Sequence, residues 1–506
     1  MIYDLCFSVL LLFVMIIPKW YHYKHQIVKE KRYQIMLSYD LNARKNGKES
    51  RFIYKYLYEC IREDIIKGNL KPDEKLPGKR SLADHLGISV NSVMNAYSLL
   101  LTEGFIYSEE KKGYFVQPLN YVTMPKKSQP LIEEDEDLTE PDYLIDFRAN
   151  RVSLHLFPTT VWGKYMREAL ALSGDLLFQT IPYKGLYELR QAIANDLLKT
   201  RNMQVDPAQI IIGAGTEYLY NRLLVLLKEY GSFASADPGY RRFERIAQNY
   251  DVTWKYIPTD ESNIRIDELE NSGANIVHVS PANLFPVGYA MPIKRRIELF
   301  NWVNEKRGRF IIEDDYDSEF RYDSAFIMPL FAEDVSNKVI YMNTFSKTMV
   351  PSIRISYMVL PPKLMKKYEE NLSFYSCSVS SFEQYALARF ISEGHYERHL
   401  LKLINYYRKI RQMTLTRFKQ SRLAEISKIE EYNAGTHFLI RIKTDKTDAE
   451  VKRIGNEKGL HISLYSAYRA DQKREKEDEC CLVINYAGIT EDNIDEVIRR
   501  MEDIFL

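Results

Sequence analysis

The sequence predicts an α/β protein in two folded units. A winged helix-turn-helix occupies residues 50–118, and an α/β domain occupies residues 143–506, with a smaller C-terminal α+β part from about residue 363. Three observations predict this. Helical periodicities and a hairpin crowd into residues 52–118, an acidic stretch at 119–142 has no apolar periodicity, and short apolar runs then alternate with helical stretches. A chain of 506 residues is also too long for one compact core.

Composition bounds the function. With 45% hydrophobic and 27% charged residues the chain is neither disordered nor wholly membrane-embedded. Its formal net charge is +1, so contact with nucleic acid must come from a local basic patch. Five cysteines, Cys6, Cys60, Cys377, Cys480 and Cys481, form neither a C-x-x-C pair nor an even framework. That usage fits a cytoplasmic protein with neither a zinc site nor a disulfide scaffold.

Residues 1–35 stand apart. Leu5 to Ile17 is an uninterrupted apolar or small run, followed by Pro18 and a basic stretch from Lys19 to Lys31. A full span needs about 20 apolar residues. A secretory signal carries positive charge ahead of its apolar run, whereas Asp4 precedes this one. The open expectations are an anchor, or an extension upstream of a translation start at Met36, which leads straight into the first folded segment.

The elements follow in order. Leu57, Ile61 and Ile65 recur every four residues and define a first helix, ended by Gly68. A second begins near Arg80, puts Leu82, Ala83 and Leu86 on one face and stops at Gly87. After a short turn a third starts with Ser89 or Asn91 as cap; it buries Val93, Ala96, Tyr97, Leu100 and Leu101 and ends before Gly104. Two helices joined so tightly make a helix-turn-helix. The exposed face of the third begins near Val90, Asn91, Ser92 and Asn95. Phe105–Tyr107 and Tyr114–Val116 alternate as strands around Glu109-Glu110-Lys111-Lys112-Gly113, the wing. Residues 119–142, with Pro125, Pro130 and the acidic run Glu133–Asp137, read as a linker. Beyond it, Ile210–Ile212, Ile276–Val279, Phe310–Ile312 and Val339–Met342 are strand-like runs between helical stretches, which predicts a largely parallel sheet with its ligand at the carboxyl ends of the strands. From about Lys363 a long helix and mixed elements follow. No internal repeat is present.

Leu76-Pro77-Gly78-Lys79-Arg80-Ser81-Leu82-Ala83, with the helix at Asn91 and with Tyr97, resembles the winged helix-turn-helix of GntR-family regulators. The resemblance implies binding to double-stranded DNA. Lys79 and Arg80 at a helix start, and Lys111 and Lys112 in the wing, would meet phosphates while Asn91, Ser92 and Asn95 face base edges. Any one of these lysines, taken alone, reads as a solvated surface charge. The chain departs from the family at Val90, where many members carry arginine.

A second constellation lies in the larger unit. Glu313-Asp314-Asp315-Tyr316 closes one apolar strand, Thr344-Phe345-Ser346-Lys347 closes another about thirty residues later, and Arg354 stands seven beyond the lysine. Pyridoxal 5′-phosphate needs an amine for its aldehyde, a carboxylate for its pyridine nitrogen and an anion clamp for its phosphate. Lys347, Asp314 and Arg354 supply these in turn. Each alone has a plainer reading, as a surface lysine, a loop carboxylate or a salt-bridge arginine; together and in this order they resemble the fold-type I aminotransferases. The resemblance extends to Gly213-Ala214-Gly215-Thr216 as a phosphate loop at a helix start, to Tyr240 in Asp237-Pro238-Gly239-Tyr240 as the residue stacked on the ring, and to Tyr316 as partner of the ring hydroxyl oxygen. Thr344 and Ser346 complete the candidate cofactor set.

The whole order resembles the MocR-type branch of the GntR family and covers residues 50–506. It implies a homodimer, with each DNA-binding domain packed against the partner's large domain, and a cofactor or amino compound acting as the signal. The match departs at the expected substrate arginine. Ala467 stands there, and only Arg242 or Arg469, both out of register, could replace it. Glu217 stands where an amide is common, and Phe285 and Val287 replace residues of an Asn-Pro-Thr-Gly pattern. The expected function is therefore a DNA-binding transcription regulator sensing pyridoxal phosphate or an amino compound. The alternative is an active aminotransferase with an accessory DNA-binding domain.

Overall fold

The computed structural model describes residues 37–39, 52–118, 143–148, 156–171, 179–322 and 327–506. The N-terminal extension, residues 1–35, and the linker, residues 119–142, lie outside the described residues. Two compact units divide at Leu138 and Thr139. Among the described residues no helix is long and apolar enough to cross a membrane.

The first unit has three helices, α1 (Ile53–Ile66), α2 (Lys79–Leu86) and α3 (Val90–Thr102), and a hairpin of β1 (Ile106–Glu109) and β2 (Gly113–Val116). Leu57, Ile61 and Ile65 turn inward as the four-residue spacing requires and meet Leu82, Val93, Tyr97 and Leu100 in one core. Burial of each such side chain stabilises the unit by about 1.5–3 kcal/mol. Gly87 closes α2 at φ 65°, a left-handed conformation that suits glycine. Two residues on, Ser89 caps α3 by accepting a hydrogen bond from the Ser92 N–H at 3.1 Å. The buried Tyr97 hydroxyl donates to the Pro77 carbonyl at 2.9 Å, which fixes the entry to α2 against α3. The strands pair antiparallel from Ile106 opposite Val116 to Glu109 opposite Gly113, leaving residues 110–112 as the wing tip.

The second unit begins with β3 (Ile145–Asp146). Its main sheet uses β4 (Ile210–Gly213), β5 (Phe233–Asp237), β6 (Trp254–Asp260), β7 (Asn263–Ile264), β8 (Ile276–Val279), β9 (Phe310–Asp314), β10 (Val339–Thr344) and β11 (Ser356–Val359). The order is β4-β11-β10-β9-β8-β5-β6-β7. Strands β10, β9, β8, β5 and β6 run parallel, whereas β11 is antiparallel to both its neighbours. Helices cover both faces, which is why these strands read as continuous apolar runs. Ile210 and Ile212 enter one core and Ile211 the other, as the two-residue period of a strand demands.

The smaller part is built on β12 (Ser427–Glu430), β13 (His437–Lys443), β14 (Leu460–His461) and β15 (Glu479–Asn485). Strands β12, β13 and β15 form an antiparallel sheet, and β14 pairs with β3, so the chain entering this unit is stitched to its C-terminal part. The sequence puts the start of this part near residue 363, but two further helices pack on the main sheet first. Leu364, Met365, Tyr368 and Leu372 of Pro362–Leu372 join one sheet core, and Ala386, Leu387 and Phe390 of Ser381–Ser392 join the other. From Leu403, within the long helix His395–Gln420, the chain joins the smaller core, which Ile145, Phe147, Phe320 and Tyr322 also enter. Periodicity shows that a helix has an apolar face, not which core receives it.

Candidate functional site

Segments at the carboxyl ends of β4, β5, β8, β9 and β10, with residues beside β3 and from the smaller part, surround a cavity of about 270 Å³ in the second unit. Strands β9 and β10 are parallel neighbours with Asp314 level with Met342, so the Asp314 carboxylate and the turn Thr344–Lys347 emerge side by side. Lys347 is half-buried, its Nζ 5.3 Å from the centre of the Tyr316 ring. Burial lowers the pKa of its amine, and the Asp317 and Asp314 carboxylates oppose that shift. An amine held in this way is closer to the neutral, nucleophilic form than a surface lysine.

Asp314 is pushed up to about 7, first by burial and then by Asp315 and Asp317, with Lys347 opposing. Asp317 is likewise raised to about 7, chiefly by burial, with Lys347 and Asn283 acting against it. The Asn283 amide donates to both Asp317 oxygens at 3.0 and 2.9 Å. His278 Nε2 lies 3.6 Å from Asp314 Oδ2. Burial drives the His278 pKa down to about 3, so at neutral pH the ring is neutral and offers Asp314 no opposite charge.

The other end of the cavity is shaped for an anion. Gly215, at φ 93°, caps the helix Thr216–Leu227. A Cβ there would lie 2.4 Å from Arg354 Nη2, so only glycine lets the guanidinium approach the helix N-terminus. The buried Ser346 hydroxyl has no hydrogen-bond partner among the described residues. Thr344 Oγ1 accepts from the Ser346 N–H at 3.2 Å and from the Ser356 hydroxyl at 2.8 Å. A buried orphan hydroxyl, a helix N-terminus and an arginine converging on one point fit a phosphate.

Of the residues expected from sequence, Lys347, Asp314, Tyr316 and Tyr240 line this cavity, as do Thr216, Thr344, Ser346 and Arg354, and Gly215 lies against it. Tyr316, expected beside a ring hydroxyl, donates to the Asn283 carbonyl at 3.0 Å. Arg242 also reaches the cavity, but it is ion-paired with Glu217. Glu217 faces Arg354 as well, at 3.7 Å. Arg469 does not reach it: its guanidinium is taken by Asp471 at 3.1 Å and Glu475 at 3.5 Å, short-range partners that hold it in its own loop. Sequence reasoning missed Arg148, His278, His437 and Tyr468, all on the cavity wall. Arg148 follows β3 and contacts His461 Nδ1 at 2.7 Å, a pairing 313 positions apart that no local pattern signals. Among the described residues no cluster of His, Cys, Asp or Glu is suited to a metal.

In the first unit Arg80, Asn91, Asn95, Lys111 and Lys112 are exposed. Lys79 is half-buried, with its Nζ 4.9 Å over the Tyr114 ring. Lys112 bridges Glu109 at 2.8 Å, which offsets part of the wing's positive charge. Ser92 is engaged too, its hydroxyl 2.9 Å from that of Ser89.

Two family models match in tandem: "Bacterial regulatory proteins, gntR family" over residues 53–116, and "Aminotransferase class I and II" over residues 144–501. An HTH-type transcriptional regulator of Bacillus subtilis, YdeL, is 35% identical over 454 residues, covering 89% of this chain and 96% of its own. The chain belongs to the GntR family of regulators, in its MocR-type branch. The probable rhizopine catabolism regulator MocR of Rhizobium meliloti is 28% identical, with 90% of this chain and 94% of its own covered. This MocR-type chain is thus a DNA-binding transcription regulator with an aminotransferase-like domain. The fold of that domain is shared with kynurenine aminotransferase of Pyrococcus horikoshii, solved in complex with PMP. The TM-score is 0.63 and identity 21%, over 72% of this chain and 91% of that one.

Proposed function

We propose that this regulator holds pyridoxal 5′-phosphate in the cavity of its second unit and uses it to sense an amino compound or the cofactor itself. The observation that carries the reading is the convergence of Lys347, Asp314 and the Gly215–Arg354 cradle on one cavity. Lys347 provides the amine for the cofactor's aldehyde, and Asp314 faces the ring nitrogen. Thr216, Ser346 and Arg354 hold the phosphate, with Tyr240 against the ring. When bound, the cofactor supplies an aldehyde that a free amine can capture in place of Lys347. Lys347, once displaced, is a half-buried amine beside two carboxylates, and the changed charge balance is what the surrounding elements respond to. PMP in the structurally similar kynurenine aminotransferase supports the same kind of ligand.

DNA is met by the first unit, with Lys79, Arg80, Lys111 and Lys112 on phosphates and the exposed face of α3 in the major groove. The active unit is a homodimer acting in the cytoplasm. Arg242, one of the two arginines offered for an effector's carboxylate, is already paired with Glu217.

The test uses the purified full chain. Added pyridoxal phosphate is expected to give the visible absorbance band of an amine-bonded cofactor, absent in Lys347→Ala, and to change affinity for a genomic operator fragment. A band with no effect on DNA, together with turnover of amino-donor and keto-acid pairs, would favour the aminotransferase alternative. Absence of any band would overturn the cofactor reading.

A further inference from the structure

We propose that the exposed face of α3 is built to read adenine and thymine, so that the operator half-site is A·T-rich where this helix enters the groove. The proposal rests on the DNA-binding reading above and adds which bases are recognised.

The face consists of Val90, Asn91, Met94, Asn95 and Ser98, which a helical period of about 3.6 residues places in adjacent rows. All five are exposed. Val90 and Met94 are large apolar side chains left 40% and 42% exposed, although the unit has its own apolar core. Over Val90–Thr102 the helix carries no Lys, Arg, Asp or Glu at all. Among the described residues, the side-chain amides of Asn91 and Asn95 make no hydrogen bond and remain available to a ligand.

Base chemistry translates that inventory. Guanine offers two acceptors to the major groove and is read by Arg or Lys, and cytosine offers a donor read by Asp or Glu. This helix has neither kind of reader. Adenine offers an acceptor beside a donor, the pattern an Asn amide matches with two hydrogen bonds, and thymine offers a methyl group to an apolar side chain. Asn91 and Asn95 are two adenine readers, and Val90 and Met94 are two methyl partners beside them. Successive rows lie about 6 Å apart along the helix, close to two base-pair steps of about 3.4 Å. The cations that hold the backbone lie off this face, on α2 and the wing, and carry no base information.

The experiment selects duplexes from a randomised pool with the full-length protein loaded with pyridoxal phosphate. The expected result is enrichment of A·T pairs at adjacent positions of each half-site. Enrichment of G·C pairs there overturns the assignment while leaving DNA binding intact; a pool with no retained duplex overturns both. On the selected site, replacing thymine by deoxyuridine removes only the methyl group and is expected to weaken binding several-fold. That loss should vanish in Val90→Ser or Met94→Ser. Replacing adenine by 7-deazaadenine should cost about ten-fold, within the range of a bidentate base contact, and should cost nothing further in Asn91→Ala or Asn95→Ala. Because these side chains are exposed, the variants keep the core, and base-swap losses that persist unchanged in all four overturn the proposal. Val90→Arg should shift preference at its position toward guanine.

Discussion

At the residue scale the site is governed by buried charge. Asp314 and Asp317 have folded-state pKa values raised to about 7, above the ordinary value of 3.8. A raised carboxyl pKa contributes stability that is fully present below the ordinary value and is lost as pH rises through the folded value. The cofactor-free protein should therefore lose stability between about pH 4 and about pH 7 from these groups. Asp314→Asn should flatten that part of the profile, as thermal unfolding across the range would measure. Glu217 makes a second prediction. It sits 3.7 Å from Arg354 and also pairs with Arg242, so it competes with any phosphate for the clamp. Both groups are partly exposed, which limits the effect to about 1 kcal/mol. Glu217→Gln should tighten binding of pyridoxal phosphate by roughly five-fold; titration of the absorbance band would show weaker or unchanged binding if Glu217 plays no such part. Lys347, Asp314 and Arg354 were legible in the sequence because each follows an apolar strand at a telling spacing. Arg148 and His437 were not, because they arrive from segments far away in the chain and only packing brings them to the cavity.

At the element scale, the close approach of a helix N-terminus to Arg354 depends on one glycine. Gly215→Ala would place a methyl group 2.4 Å from the guanidinium in a backbone conformation that alanine rarely adopts. The variant should fold with a modest loss of stability and lose phosphate-end binding by at least ten-fold, measured by the same titration with inorganic phosphate as competitor. Wild-type affinity in this variant would contradict the cradle. The strands were legible because a sheet covered on both faces leaves continuous apolar runs such as Ile210–Ile212. The winged helix was legible down to its Gly87 stop, and of the two cap candidates, Ser89 and Asn91, Ser89 is the cap. Membership of Pro362–Leu372 and Ser381–Ser392 in the main-sheet cores was not, because an amphipathic stripe is silent about its partner.

At the scale of the whole molecule, two compact units lie on one chain, one carrying the helix-turn-helix and one the cavity lined by Lys347. Removal of residues 1–118 should abolish operator binding and leave the absorbance band, as expected when the cofactor site draws only on the second unit; loss of the band would contradict that separation. The family order was legible because both units carry local motifs, whereas the effector was not, since the expected arginine position holds Ala467 and the offered substitute Arg469 is tied to Asp471. The central claim is that Lys347 is the covalent post of a sensor. Its most direct test is sodium borohydride reduction of the pyridoxal phosphate-loaded protein, which fixes a lysine–cofactor bond, followed by peptide mass mapping. The account predicts one phosphopyridoxyl group, carried on the peptide containing Lys347. A label on other lysines, or none on that peptide, would contradict it.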